Sequence, residues 1–213
     1  MKEIYVVGED EVTKAIIKRL IHDYAPGLSI KGFLPARGGQ LKNLIGNFNR
    51  LSMAIPVVLL EDLDTEDCAP LARKKLLGSE LQQDDFIINI AVDEAEAWLY
   101  ADSSSIASYL KVPEQEIPRA KALTMGGPRP RLEIDTVQKT SRHLTKELIL
   151  KSTDSELRTQ IESSDGKCKG KEYNSAMTPY IDAIWNPESA RQSSYSLHTT
   201  IERIIRLNRK YSV

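Results

Sequence analysis

The sequence predicts an α/β protein: a four-stranded parallel sheet flanked by helices, with a mainly helical C-terminal extension. Three observations carry this. Short apolar, β-branched runs alternate with segments whose apolar residues recur at helical spacing, the pattern of strand–helix–strand units. The third run, Val57-Val58-Leu59-Leu60, lacks any polar alternation, as expected of a central strand buried on both faces. Past Val92 the strand signals stop and helical periodicity takes over.

Taken in order, Ile4-Tyr5-Val6-Val7 is a β-rich run stopped by Gly8 and the acidic group Glu9-Asp10-Glu11. Val12 to Ala25 reads as a helix with Ala15, Ile16, Ile17, Leu20 and Ile21 on one face, ended by Pro26-Gly27. Leu28 to Leu34 is the second strand, Leu41 to Met53 the second helix. Pro56 opens the third strand, and a third helix spans roughly residues 69 to 77. Asp85 to Val92 is the fourth strand. Crossovers between parallel strands should be right-handed. Asp93 to Asp102 reads as a helix with acid in its first turn, where the helix dipole favours it. Asp102 then serves as N-cap of a helix running through Ile106 to Leu110.

Val112 to Arg131, with four prolines, is expected to be a long loop rather than a strand. Helices follow at Thr136 to Lys151, Asn174 to Trp185 and Ser196 to Asn208. The expected organisation is an α/β domain over 1–102 and a helical extension over 103–213.

With 213 residues, 41% hydrophobic and 28% charged, the chain can bury a sizeable core and is not a disordered one. No stretch of about eighteen apolar residues is present, and the N-terminus enters a strand rather than a signal peptide, so no membrane association and a cytoplasmic location are expected. Cys68 and Cys168 show no metal spacing, which excludes a zinc site of the usual kind. The net charge of −1 is unevenly spread: residues 1–102 carry 11 Lys+Arg against 17 Asp+Glu, and residues 103–213 carry 18 against 13. A near-zero total argues against indiscriminate coating of nucleic acid. The asymmetry suits an acidic metal-binding edge beside a phosphate-binding surface.

The acid is placed where open α/β sheets build their sites, at strand carboxyl ends. The first strand ends at Glu9, the third at Asp62 and Asp64, and the fourth at Asp93, Glu94 and Glu96. In extended backbone, Asp62 and Asp64 leave the chain on one side. That spacing suits a hard divalent cation. If the first, third and fourth strands are neighbours, these groups converge. On a helix Glu94 and Glu96 diverge, so only one of them can face a site squarely. The candidates for phosphate contact are Arg129 and Arg131 in the proline-rich loop, and Lys167, Lys169 and Lys171 in the glycine-bounded loop 166–171. That loop lacks the G-x-x-x-x-G-K-[ST] spacing, so a P-loop is excluded. His143, His22 and His198 read as surface or satisfied histidines.

A strand ending in Glu (YVVGEDEV) and a later strand ending in D-x-D (VVLLEDLD) resemble a Toprim domain, the Rossmann-like acidic catalytic fold of topoisomerases, bacterial primases, ribonuclease M and OLD-type nucleases. More narrowly, VVLLEDLDTEDCAP, AVDEAEAWLYAD, GKEYN and WNPESAR resemble a family of small stand-alone Toprim-like proteins found beside SMC/ABC-type ATPases in arrangements like anti-phage defence systems. The resemblance implies Mg²⁺- or Mn²⁺-dependent cutting of RNA, tRNA or DNA. In that reading Asp62 and Asp64 hold metal, Glu9 is a ligand or general acid/base, and Glu94 or Glu96 completes the site. Nucleic acid, an SMC/ABC-type ATPase and a second copy of the chain are the partners to test for.

One departure stands out: Toprim domains place Gly just after the Glu, whereas Gly8 here precedes Glu9, which leaves Glu11 open as well. The topoisomerase tyrosine regions are absent, so strand passage is not expected. The alternative is a non-enzymatic subunit with a degenerate acidic edge that regulates, or is regulated by, an ATPase. A haloacid-dehalogenase phosphatase would want Thr or Val two residues after the second Asp, on the first strand. Glu66 stands there instead, on the third.

Overall fold

Glycine and aspartate set the first turn. A Cβ on Gly8 would stand 3.0 Å from Thr13 Cγ2 and 3.3 Å from the Lys14 backbone nitrogen. Only glycine lets the end of the first strand approach the next helix so closely. Asp10 then caps that helix, accepting from the Thr13 backbone N–H at 2.8 Å. The computed structural model describes residues 1–36, 40–64, 66–123, 131–134, 136, 139–163 and 169–212.

The chain divides into two units, one of 1–91 with 199–213 and one of 92–198. The boundary therefore falls after Ala91 rather than at Asp102, and the first unit takes back the C-terminal residues.

The first unit contains β1 (Lys2–Val7), α1 (Glu11–Tyr24), β2 (Leu28–Leu34), α2 (Leu41–Leu51), β3 (Val57–Asp62), α3 (Ala69–Leu77) and β4 (Phe86–Ala91). The four strands form a parallel sheet in the order β2-β1-β3-β4, flanked by helices. β3 is central, and Val57 through Leu60 are buried. Ile4, Val6, Ile16, Leu20 and Phe86 close the core with them. Helix α3 carries Pro70 in its first turn and stops at Gly78, whose φ of 61° is the left-handed conformation that suits glycine.

The second unit contains α4 (Ala95–Tyr100), α5 (Ser103–Leu110), β5 (Ala120–Leu123), β6 (Arg131–Ile134), α6 (Thr140–His143), α7 (Ser155–Ile161), α8 (Tyr173–Pro179) and α9 (Pro187–Ala190). A last helix, α10, spans Tyr195–Tyr211. Trp98, Trp185, Tyr100, Tyr173 and Tyr180 are fully buried in this unit. Among the described residues, no helix is long and apolar enough to cross a membrane.

Three expectations are corrected. The proline-rich stretch is not all loop: β5 and β6 pair antiparallel, Ala120 against Ile134 and Leu123 against Arg131. Neither strand, at four residues, is long enough to show a period. The helix expected from Thr136 begins at Thr140 and runs on as a π turn, Leu144–Leu148, and a 3₁₀ turn, Ile149–Lys151. Asp102 makes no side-chain cap to α5; its carboxylate accepts instead from the Asn186 backbone N–H at 2.9 Å.

Candidate functional site

After β2 the chain crosses back over β1 to lay down β3, so the strand order reverses between β1 and β3. Such a switch point leaves a crevice outside the carboxyl ends of the two strands, the usual place for a site in an open α/β sheet. The register fixes what stands there. Val7, the last residue of β1, pairs with Leu59; Glu9 follows in the turn after β1, while Glu61 continues β3. β3 outruns β1 there because its ladder with β4 continues, Glu61 against Ile90 and Asp62 against Ala91. The Leu63 backbone N–H adds a bond to the Ala91 carbonyl at 2.8 Å.

Glu61 is the residue that sequence reading missed. Burial pushes its carboxyl up to about 7, and the negative charges of Glu9 and Asp64 push in the same direction, against a smaller opposing effect of Lys42. Like-charged groups held close enough to act on one another in this way define a cluster at the carboxyl edge. The available signal was strand alternation, which sets Glu61 and Asp62 on opposite faces of the sheet and gives each face its own acid.

Of the three acids after β1, Glu9 is the one that acts on Glu61. Asp10 is spent on the cap, and Glu11 pairs with Lys14 at 2.7 Å on the first turn of α1.

Asp62 is the last residue of β3 and half-buried. Asp64 does not continue the extended backbone: its φ is 50°, a left-handed turn that Asp tolerates better than most residues. The geometry that would send Asp62 and Asp64 off one side therefore does not hold. The turn instead brings Asp64 to bear on Glu61. Glu66 pairs with Lys75 of α3, and Asp67 is exposed.

The donors at this edge are all carboxylate oxygens, the hard ligand type that Mg²⁺ and Mn²⁺ take. A carboxyl whose proton affinity is raised in part by the negative charges of Glu9 and Asp64 is chemically matched to a divalent cation, which would relieve the repulsion. In the described arrangement, no three His, Cys, Asp or Glu side chains close on one point.

The remaining sequence candidates belong to the second unit or fall outside the described residues. Glu94 is 6% exposed and accepts from the Ser141 backbone N–H at 2.7 Å, with Lys139 Nζ at 3.5 Å. Asp93, whose φ is 64°, accepts from Thr136 Oγ1 at 2.8 Å, from the Thr140 backbone N–H at 3.1 Å and from Thr140 Oγ1. Burial raises the Asp93 carboxyl, while its hydrogen bonds act the other way. These two acids thus serve the N-terminus of α6 rather than only their own helix. Glu96, 2% exposed, pairs with Lys169 Nζ at 2.7 Å and accepts from Tyr173 Oη at 3.1 Å.

Among the basic candidates, Arg131 lays its guanidinium over the Tyr195 ring at 4.7 Å. Lys171 is exposed. Arg129 and Lys167 lie outside the described residues. His143 Nδ1 meets Tyr100 Oη at 3.0 Å, and burial lowers its pKa.

No family model matches the chain, and no curated protein matches it. A solved structure, the C-terminal region of the Burkholderia pseudomallei OLD protein, is similar to it at 15% identity with a TM-score of 0.40, over 97% of this chain and 98% of that one.

Proposed function

We propose that the first unit is a metal-dependent nuclease that hydrolyses phosphodiester bonds of RNA, tRNA or DNA at the carboxyl edge of its sheet, with Glu9, Asp62 and Asp64 as its acids and Glu61 on the opposite face of β3 from Asp62. The observation that supports this most is the electrostatics at the carboxyl edge: the charges of Glu9 and Asp64 both push the carboxyl of Glu61 up. Glu9, Asp62 and Asp64 are the residues that would hold Mg²⁺ or Mn²⁺. Such an ion, when bound, polarises the phosphate and acidifies bound water. Glu61, half-buried at the end of β3, holds or releases a proton near neutrality, the property wanted of a general acid or base. Lys42 supplies the positive charge felt at Glu61 from α2.

The test is cleavage of end-labelled RNA, tRNA and DNA by purified protein in Mg²⁺ and in Mn²⁺, alone and with any co-purifying ATPase. Metal-dependent cleavage that disappears in Asp62→Ala supports the reading. No cleavage of any substrate under any of these conditions ends it. An SMC/ABC-type ATPase as partner and a role as the effector of anti-phage defence belong to the same proposal. Co-purification and a phage-plating assay with Asp62→Ala address them.

A second reading is favoured by one observation, that no three described carboxylates close on a point. In it the acidic edge is degenerate, and the chain is a non-enzymatic subunit of an ATPase. Absence of any calorimetric heat with Mn²⁺, together with a stable ATPase complex, is its expected signature.

A further inference from the structure

The first unit holds a second polar concavity, at the other end of the sheet from the acids. β4 is an edge strand, and along it runs a cavity of about 450 Å³. Ile87, Ile88 and Leu207 supply its apolar lining. Arg203 of α10 covers the strand edge, donating to the Ile88 carbonyl at 3.2 Å and to Asn89 Oδ1 at 3.4 Å. This blunts an edge that would otherwise offer unpaired backbone groups.

The charges around the cavity do not balance. Arg73 from α3 joins Arg203, Arg206 and Lys210 from α10, against Asp84 and Asp85. Asp85 is already committed, accepting from Lys210 Nζ at 2.6 Å and from Tyr211 Oη at 2.5 Å. Arg73 and Arg206 line the same cavity as the exposed Asp84. Arg73 Nε is buried and has no hydrogen-bond partner among the described residues. Burial also works against the Arg73 charge. A buried guanidinium nitrogen left without an acceptor carries a desolvation cost that a bound anion would offset. Arg206 is exposed and has no ion pair among the described residues.

We propose that this cavity binds a phosphate group, carried either by a free nucleotide or by a nucleic-acid strand, with Arg73 and Arg206 as its principal donors and Arg203 and Lys210 at the rim. Guanidinium forks match the paired oxygens of a phosphate. Several of them around one concavity suit the tetrahedral array of phosphate oxygens, monoester or diester, better than the two coplanar oxygens of a carboxylate. The cavity is of the size that holds small ligands, and its isoleucine and leucine side chains offer an apolar surface for the remainder of a nucleotide. Asp84 and Asp85 precede β4, so the cavity lies toward the amino ends of the strands, whereas Glu61 and Asp62 end β3. The proposal therefore does not rest on the nuclease reading.

Calorimetric titration of the full chain with three probes tests it: inorganic phosphate, adenosine 5′-monophosphate, and a short single-stranded oligodeoxynucleotide without terminal phosphates. Binding of at least one probe is expected, weakened about tenfold or more in Arg73→Gln and in Arg206→Gln, on the scale of losing a charge-assisted pair. Arg209→Gln, a change on the same helix outside the cavity, should leave it unaltered. Tighter binding of the mononucleotide identifies a free nucleotide as the ligand, and tighter binding of the oligonucleotide identifies a strand. Arg206 is exposed, so its variant should fold even if Arg73→Gln does not. No heat with any probe, or equal affinities for Arg206→Gln and Arg209→Gln, overturns the proposal.

Discussion

The two units bury their acids in opposite ways. In the second, each buried carboxylate is met by donors: Glu94 by the Ser141 N–H and Lys139, Glu96 by Lys169 and Tyr173, and Glu133 by the hydroxyls of Ser194 and Ser196 and the Ser196 N–H. In the first, Glu61 is pressed by the charges of Glu9 and Asp64. A satisfied buried acid fixes a local fold. A crowded set of acids at a sheet switch point lowers stability, and clusters of that kind are held in place by what they do. The contrast separates carboxylates whose donors account for their burial from those for which a catalytic role is proposed, where residue type alone cannot.

The largest expected effects test this division directly. Asp62→Ala should remove metal-dependent cleavage by on the order of a hundredfold or more, the scale of losing one catalytic group. Its melting temperature should stay close to that of the unaltered protein. Glu96→Ala should do the reverse. It strips the partner from Lys169 and Tyr173 inside the second unit, and chemical denaturation should show a loss of about 2–4 kcal/mol. If Asp62→Ala unfolds the protein, or Glu96→Ala leaves stability unchanged while abolishing cleavage, the assignment of roles is inverted.

Much of the first unit was legible in the sequence because its strands are long enough to show a run and its helices have one apolar face. β2, at Leu28–Leu34, and α3, at Ala69–Leu77, fall where periodicity set them. The second unit was less so. Residues 144–148 and 180–184 form π turns, which follow from side-chain packing and have no period of their own. The antiparallel pair β5–β6 is too short to alternate visibly.

At the acidic edge, Glu9 and Asp62 could be picked out because each follows a buried strand. Glu61 could not, since its significance depends on which charges the fold brings beside it. Nor could the partners of Glu94 and Glu96, which come from 45 or more and 73 or more residues away in the chain. Tertiary pairing of this range leaves no local trace.

Glu133 carries the pH dependence of the second unit. Burial raises its carboxyl from 4.5 to about 7, with the Ser194 and Ser196 hydrogen bonds opposing that rise. A raised pKa means the folded state keeps the proton longer than the unfolded chain. Stability should therefore be fullest below about pH 4.5, fall between there and 7, and level off above, by up to about 3 kcal/mol in all. Thermal melts of the unaltered protein should show that decline once acid effects of other groups are subtracted by comparison with Glu133→Gln. The variant cannot ionise and should lose this component of the slope. Parallel slopes in both proteins would mean that Glu133 is not the group responsible.

The smallest effect expected is a gain. Glu9 is exposed and contributes negative charge beside Glu61, without a compensating donor among the described residues of the kind seen around Glu133. Replacing it with Gln keeps the shape and removes one like charge. In metal-free buffer Glu9→Gln should therefore be more stable than the unaltered protein, by a fraction of a kcal/mol, as solvent screening dictates for an exposed charge. The gain should shrink in high salt. Added Mn²⁺ should reverse the order if the cluster binds it, because the unaltered protein then gains binding free energy that the variant has lost. Paired melting curves with chelator, with salt and with Mn²⁺ read all three signs. A variant that is destabilised in chelator would place Glu9 with the structural acids of the second unit and dissolve the distinction between the two sets.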